Sequence, residues 1–298
     1  MNNASTGAST GPRQFSYCVE EHGQSVEERL LAEGYSKRLI IVLKQTEDGL
    51  CVSGRRVRST YILKRGEILT VALPQPTVKR SVSSEIVPVL YEDADIIVYN
   101  KPAGLVCHRS GSHYADTLEN TAEGVFRAMI RLDRDTSGAL VVAKHQLAAA
   151  QLWQKIDKRY LAVVQGRIKD LHGFIELPLA QQKPYEPRQV VRADGKAART
   201  EYRVLAANEK LTVLECILHT GRMHQIRVHF SAVGHPLLGD AFYGGEIADI
   251  QRQALHCTKV MFIHPITKKQ MCLFAPLPDD ITKIIKKHGI HAEVHLIK

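Results

Sequence analysis

The chain has 298 residues, with 40 Lys and Arg against 31 Asp and Glu, and a net charge of +9 with histidine neutral. Hydrophobic residues at 44% and charged residues at 24% exclude a mainly disordered chain, a collagen-like repeat and a disulfide scaffold. No apolar run reaches the ~18 residues that a membrane-spanning helix requires. The opening MNNASTGASTGPRQ has neither the basic start nor the apolar middle of a signal peptide. The expectation is a cytoplasmic protein, of about two domains by length.

Residues 1–14 are rich in Ser, Thr, Gly and Asn and read as a disordered tail. Ser25-Val26-Glu27-Glu28 predicts a capped helix start ahead of Leu30 and Leu31. An apolar stretch, Leu39 to Leu43, follows it. Strand-like runs at 50–52 and 68–73 are punctuated by Gly54 and Gly66. Between them stand Arg55, Arg56, Arg58, Lys64 and Arg65 with no acidic residue interposed. Residues 15–74 thus form a small α/β module with little room for a core. Pro74, Pro76 and the polar stretch after them mark a linker at 75–85.

The main body, 86–298, has short β-like runs at 96–99, 139–143, 160–164 and 212–218. Helical stretches are expected at 145–156, at about 223–233 and at 279–288. Helices and strands mix without a regular βαβ alternation. The fold class expected is therefore α+β, a mixed and largely antiparallel sheet with flanking helices.

The basic balance suits a polyanionic partner, because neutralising phosphates releases counterions. Of the six cysteines none forms a Cys-x-x-Cys pair, and the 14 histidines show no His-Glu-x-x-His spacing. No metal site is expected.

Three segments carry chemistry. The first runs Ile130-Arg131-Leu132-Asp133-Arg134-Asp135-Thr136-Ser137-Gly138 into an apolar strand. Alone, its first reading is a solvated turn in which Asp135, Thr136 and Ser137 make turn hydrogen bonds. The second, Thr220 to His229, holds Arg222, His224, Arg227 and His229 around a helix start. Its plain reading is a charged surface helix with satisfied histidines. The third, Lys158-Arg159-Tyr160, places a tyrosine in a strand, where it is either half-buried core or a platform for stacking a base.

In order along the chain these segments resemble the RNA pseudouridine synthases of the RluA type. The resemblance also takes in Asn100-Lys101-Pro102-Ala103-Gly104, Lys196 to Thr200, Gly234-His235-Pro236, Gly239-Asp240, Leu255-His256 and Phe262-x-His264-Pro265. It covers about residues 86 to 280. Val52-Ser53-Gly54-Arg55-Arg56-Val57 and Leu63 to Glu67 are similar to the small alpha-L RNA-binding domain that often precedes this catalytic domain.

The resemblance implies isomerisation of uridine to pseudouridine in ribosomal or transfer RNA, without cofactor or metal; oligomeric state has no signal in the sequence, and a monomer is the default expectation. It assigns Asp133 as the catalytic carboxylate, either nucleophile or base. It assigns Arg227 as the cation that keeps Asp133 ionised, and Tyr160 as the ring under the target base. Arg131 would fill the space left by the extruded nucleotide. Arg222, His224 and Lys101 are assigned to RNA contacts or loop structure, and Arg55, Arg56 and Arg58 to RNA binding by the N-terminal module.

Ile130 and Met223 depart from the family pattern, where histidine and a small polar residue are common. The connection from Lys144 to Tyr160 looks shorter than usual. Two rival readings are an inactive RNA-binding relative serving ribosome assembly, and a glycoside hydrolase using Asp133 and Asp135 as an acid/base pair.

Overall fold

A computed structural model of the chain describes residues 13–74, 83, 85–109, 113–122 and 124–290. Residues 1–12 of the expected tail and most of the expected 75–85 linker lie outside the described residues. The tail's last two residues belong to the fold, since the first strand begins at Gln14 and Arg13 pairs with Asp95.

The N-terminal part comprises β1 (Gln14–Cys18), α1 (Val26–Ala32), α2 (Lys37–Gln45), β2 (Leu50–Val52), β3 (Arg55–Arg56) and β4 (Ile68–Ala72). Ser25 starts α1 with a reciprocal capping box, its hydroxyl accepting from Glu28 N and the Glu28 carboxylate accepting from Ser25 N. The four strands pair antiparallel in the order β1-β4-β2-β3. Val26, Leu30, Leu39, Ile40, Leu43, Leu63 and Leu69 fill the space beneath them.

The rest supplies β5 (Val89–Glu92), β6 (Ile96–Lys101), α3 (Leu118–Thr121), β7 (Arg127–Ala128), β8 (Ser137–Ala143), α4 (Gln146–Leu152) and β9 (Asp157–Gln165). There follow β10 (His172–Ile175), β11 (Leu179–Gln181), β12 (Gln189–Val191), β13 (Thr200–Ala207), β14 (Leu211–Leu218), α5 (Gln225–Ala232), β15 (Leu255–Ile263), β16 (Gln270–Phe274) and α6 (Asp279–Lys287). A ten-stranded sheet runs β10-β13-β14-β9-β15-β8-β6-β5, with β16 and β7 attached to β15 and β8. The β8–β15 pairing is parallel and the other ladders are antiparallel, which is the α+β architecture expected.

Alternation along β9 builds two cores. Tyr160, Ala162 and Val164 face α5 and pack with Ile226 and Phe230. Leu161 and Val163 face the other way and pack with Ile281, Ile284 and Ile285 of α6.

The N-terminal part is docked on this body. Leu147 of α4 joins its core, and Ile266 packs against it. Arg13 donates to both oxygens of buried Asp95, which also takes His145 Nε2 at 2.9 Å. Gln151 donates to Glu33 O at 2.9 Å. Asp93 and His264 lie beside Asp95, but these groups hold one another, with His264 Nε2 2.8 Å from an Asp93 oxygen.

Candidate active site

Asp133 lies in the connection that leads into β8, and almost every neighbour in that connection is stapled. The Cys107 thiol donates to Leu132 O at 3.2 Å, and Lys101 Nζ donates to Arg134 O at 2.9 Å. Arg252 Nη1 donates to Asp135 O at 3.1 Å, and Gln253 Nε2 donates to the Thr136 hydroxyl at 3.2 Å. Ser137 Oγ meets His256 Nδ1 at 2.9 Å. Gly138 then enters the strand at φ +117°, where an added Cβ would lie 2.3 Å from Cys257 O. Only glycine fits that position. The connection is thereby rigid, and the Asp133 carboxylate projects from it.

That carboxylate accepts from Arg227 Nη1 at 3.0 Å. Arg227 is oriented from its other edge by Asp240, with Nε and Nη2 donating to the two Asp240 oxygens at 2.6 and 2.9 Å. Side-chain exposure falls from 26% at Asp133 to 8% at Arg227 and 1% at Asp240, so the pair deepest in the protein is the bidentate one. Burial works against the Arg227 charge, but the bonds and charges of Asp240 and Asp133 outweigh it and raise its pKa.

The helix carrying Arg227 begins abruptly. His224 stands at φ +55°, a left-handed conformation that stops the helix extending backward. Buried Gln225 stitches the turn together: Oε1 accepts from the Thr220 hydroxyl and Arg222 N, and Nε2 donates to Arg199 O and the Thr200 hydroxyl. His229 is fully buried between Thr200 Oγ1 and Leu177 O, a satisfied structural histidine.

Tyr160 occupies the middle of the sheet, paired across strands with Cys216 and Cys257 and only 5% exposed. Burial, assisted by the nearby charge of Asp133, pushes its hydroxyl well above the usual tyrosine range. Asp133 and Arg227, far apart in the sequence, thus meet directly, and Tyr160 lies near enough for the charge of Asp133 to act on its hydroxyl.

Tyr243 packs beside Arg227. Its ring centroid is 5.0 Å from Arg227 Cζ, and its hydroxyl accepts from Gln189 N at 3.0 Å and meets His224 Nδ1 at 2.8 Å. Burial lowers the His224 pKa, which favours the neutral imidazole. Arg131 is exposed beside buried Leu132, and Arg222 is exposed with Nε on Ala197 O. Arg55, Arg56 and Arg58 are exposed on and beside β3, in the N-terminal part.

Lys101 requires a correction as an RNA contact. It is 0% exposed, and Nζ donates to Pro102 O, Leu105 O and Arg134 O at 2.7, 2.7 and 2.9 Å. All its donors are engaged, so it ties the 102–105 turn to the Asp133 connection; burial draws its pKa down to about 8. The acid/base pairing of Asp133 with Asp135 also fails, because Asp135 turns to Arg134 at 3.1 Å and Asp133 to Arg227. Ile130 is 7% exposed in the core and Met223 is 40% exposed before α5.

Sequence reasoning quoted Asp240 without giving it a role and overlooked Tyr243 and Arg252. The available signal was Gly239-Asp240-Ala241-Phe242-Tyr243-Gly244, a carboxylate held in a glycine-flanked turn. Gly239 and Gly244 both adopt positive φ there.

The RNA pseudouridylate synthase family model matches residues 95–232. The chain is 39% identical to the uncharacterized RNA pseudouridine synthase YjbO of Bacillus subtilis over 85% of this chain and 95% of that protein. This chain belongs to the RNA pseudouridine synthase family. Ribosomal large subunit pseudouridine synthase D of Zymomonas mobilis is 36% identical over 82% of this chain and 87% of its own length, which places the chain with the RluA-type enzymes. Human RNA pseudouridylate synthase domain containing 1 superposes with a TM-score of 0.54 at 28% identity, covering 67% of this chain and 87% of its own. The protein is accordingly an RNA pseudouridine synthase, an isomerase acting on uridine in RNA. The glycoside hydrolase reading is overturned by the same finding. Among the described residues no helix is long and apolar enough to cross a membrane.

Proposed function

We propose that the protein isomerises one or a few specific uridines in structured RNA, with Asp133 as the catalytic carboxylate. The observation that carries this reading is the Asp133–Arg227 contact beside Tyr160. The substrate class is ribosomal or transfer RNA, and two relatives named for the large ribosomal subunit favour the ribosomal one.

The target nucleotide swings out of its strand, since C1′ and C5 are poorly reached within stacked RNA. Asp133 then acts as the nucleophile at C1′ or as the base on a sugar proton, and the N1–C1′ bond breaks. The freed uracil turns while stacked on Tyr160; C5 bonds to C1′ as the Asp133–C1′ bond breaks or, in the base route, as Asp133 returns the sugar proton; the C5 proton then leaves and N1 is protonated. Arg227 donates to Asp133 and holds its carboxylate in position throughout. Arg131, exposed next to Asp133, takes the space vacated in the RNA. Arg222 and His224 flank the entrance, and Arg55, Arg56 and Arg58 add sequence-independent attraction for phosphates.

An inactive RNA-binding relative would not require Asp133, Tyr160 and Arg227 together. The deciding experiment maps pseudouridines in total RNA from cells with and without the protein. One or a few sites should vanish with it; an unchanged map would end the enzymatic proposal.

A further inference from the structure

Phe242 is unusual for a large apolar side chain beside a buried ion pair, because 39% of it is exposed. It sits in the turn between Asp240 and Gly244, so its backbone is fixed next to the residue that orients Arg227. It packs near-perpendicular to two other rings, with Tyr243 at 5.0 Å and His224 at 5.9 Å between centroids, both at 83°. The Arg188 guanidinium lies over it, 5.0 Å from the ring centroid and 5.6 Å from that of Tyr243. On the inner side, Arg227 Cζ lies 5.9 Å from the Phe242 centroid.

The order from the reacting carboxylate outward is therefore Asp133, Arg227, the Phe242–Tyr243 pair, and Arg188. Inner and outer cations differ in what they do. Arg227 is saturated by two carboxylates. Arg188 is exposed, and its side chain has no hydrogen bond or ion pair among the described residues. Its backbone is nonetheless held, because the next residue, Gln189, donates N–H to the buried Tyr243 hydroxyl. A guanidinium held over an exposed ring, with its donors free, suits a nucleobase packed against the pair and a phosphate at its edge. Its place in that order restricts which nucleotide can reach it.

We propose that Arg188 on Phe242 is a stacking site for an unpaired nucleobase adjoining the target uridine in the RNA chain, separate from the Tyr160 platform for the target itself. This rests on the uridine-isomerising reading above. The site selects RNA whose target is flanked by a nucleotide free to unstack. It contributes to capture of the substrate and leaves the bond-breaking step to Asp133.

The test uses RNA from cells lacking the protein, labelled with tritium at uridine C5, since isomerisation releases that label to water. Phe242→Ala should raise apparent KM about tenfold with kcat within about twofold, the scale of one lost base stack. Phe242→Leu, which keeps apolar bulk without a π face, should behave like the alanine variant, and Phe242→Trp should restore KM. Arg188→Ala should raise KM, and Arg188→Lys should not restore it fully, lacking the planar face. The proposal is overturned if KM is unchanged in Phe242→Ala and Arg188→Ala, if Phe242→Leu matches the parent, or if kcat falls while KM stays, which would make the ring a support for Arg227. If the parent protein releases no tritium from this RNA, the isomerase reading itself fails, and the stacking site falls with it.

Discussion

Arg227 and Asp240 face each other through two parallel hydrogen bonds of 2.6 and 2.9 Å, which leaves Arg227 Nη1 to reach Asp133 at 3.0 Å. One cation therefore serves two carboxylates. Asp240 fixes the plane of the guanidinium and so the direction from which Nη1 meets Asp133. A buried bidentate pair of this kind is costly to desolvate, so its retention argues for positioning rather than stability.

Replacing Asp240 should test that argument. Asp240→Asn should lower kcat by about a hundredfold, as for a misplacement of about 1 Å, with KM for RNA changed little. Arg227→Lys should fare no better, because an ammonium cannot span both carboxylates in a fixed plane. Tritium release under saturating RNA measures both; a parental kcat in Asp240→Asn would remove Asp240 from the positioning account.

Asp133→Asn preserves the shape of the side chain and removes its charge. Pseudouridine formation should fall below detection while RNA affinity stays within about threefold, since binding rests mainly on phosphate contacts. Filter binding and pseudouridine mapping on the same preparation separate the two effects. A variant that still converts uridine at the parental rate would rule Asp133 out.

Lys101→Met should leave the salt dependence of RNA binding unaltered, because the ammonium is enclosed by Pro102 O, Leu105 O and Arg134 O. It should lower stability by roughly 2–4 kcal/mol and reduce kcat as the Asp133 connection loosens. Denaturant unfolding and a salt titration of RNA binding check both halves. A flatter salt slope would restore Lys101 as an RNA contact.

Arg55, Arg56 and Arg58 should behave in the opposite way. Changing all of them to Gln should reduce the slope of log K against log salt by about 2–3, with catalysis at saturating RNA intact. An unchanged slope would take the N-terminal part out of RNA binding.

His256 gives a pH signature. Burial draws its pKa from 6.5 down to about 4, so between those values the unfolded chain binds a proton that the folded chain refuses. Stability must then fall as pH drops through 6.5 toward 4. Between pH 7 and 5 the loss assignable to His256 is about 2 kcal/mol. His256→Asn should shrink the pH dependence by that amount in urea unfolding; equal curves for both proteins would contradict the buried neutral state.

Element boundaries show where local sequence ran out. The helix expected at 145–156 stops at Leu152, and Gln154 at φ +57° turns the chain away. The one expected at 223–233 starts at Gln225, because His224 is left-handed. Neither conformation leaves a periodicity signal. β13 and β15 escaped notice for a related reason: each carries a register shift, at Val204/Ala206 and Cys257/Lys259, that breaks the alternation.

The sequence by itself determined the family resemblance and the sheet-rich α+β class, and it singled out Asp133, Tyr160 and Arg227 as candidates, because ordered motifs and apolar alternation are local properties. It could not decide which charges face each other. That Lys101 spends itself on backbone carbonyls, that Asp240 rather than Asp135 shares a cation with Asp133, and that Phe242 stands open under Arg188 all follow from long-range packing, which brings residues far apart in the chain within about 3 Å hydrogen-bond reach or about 6 Å of a ring.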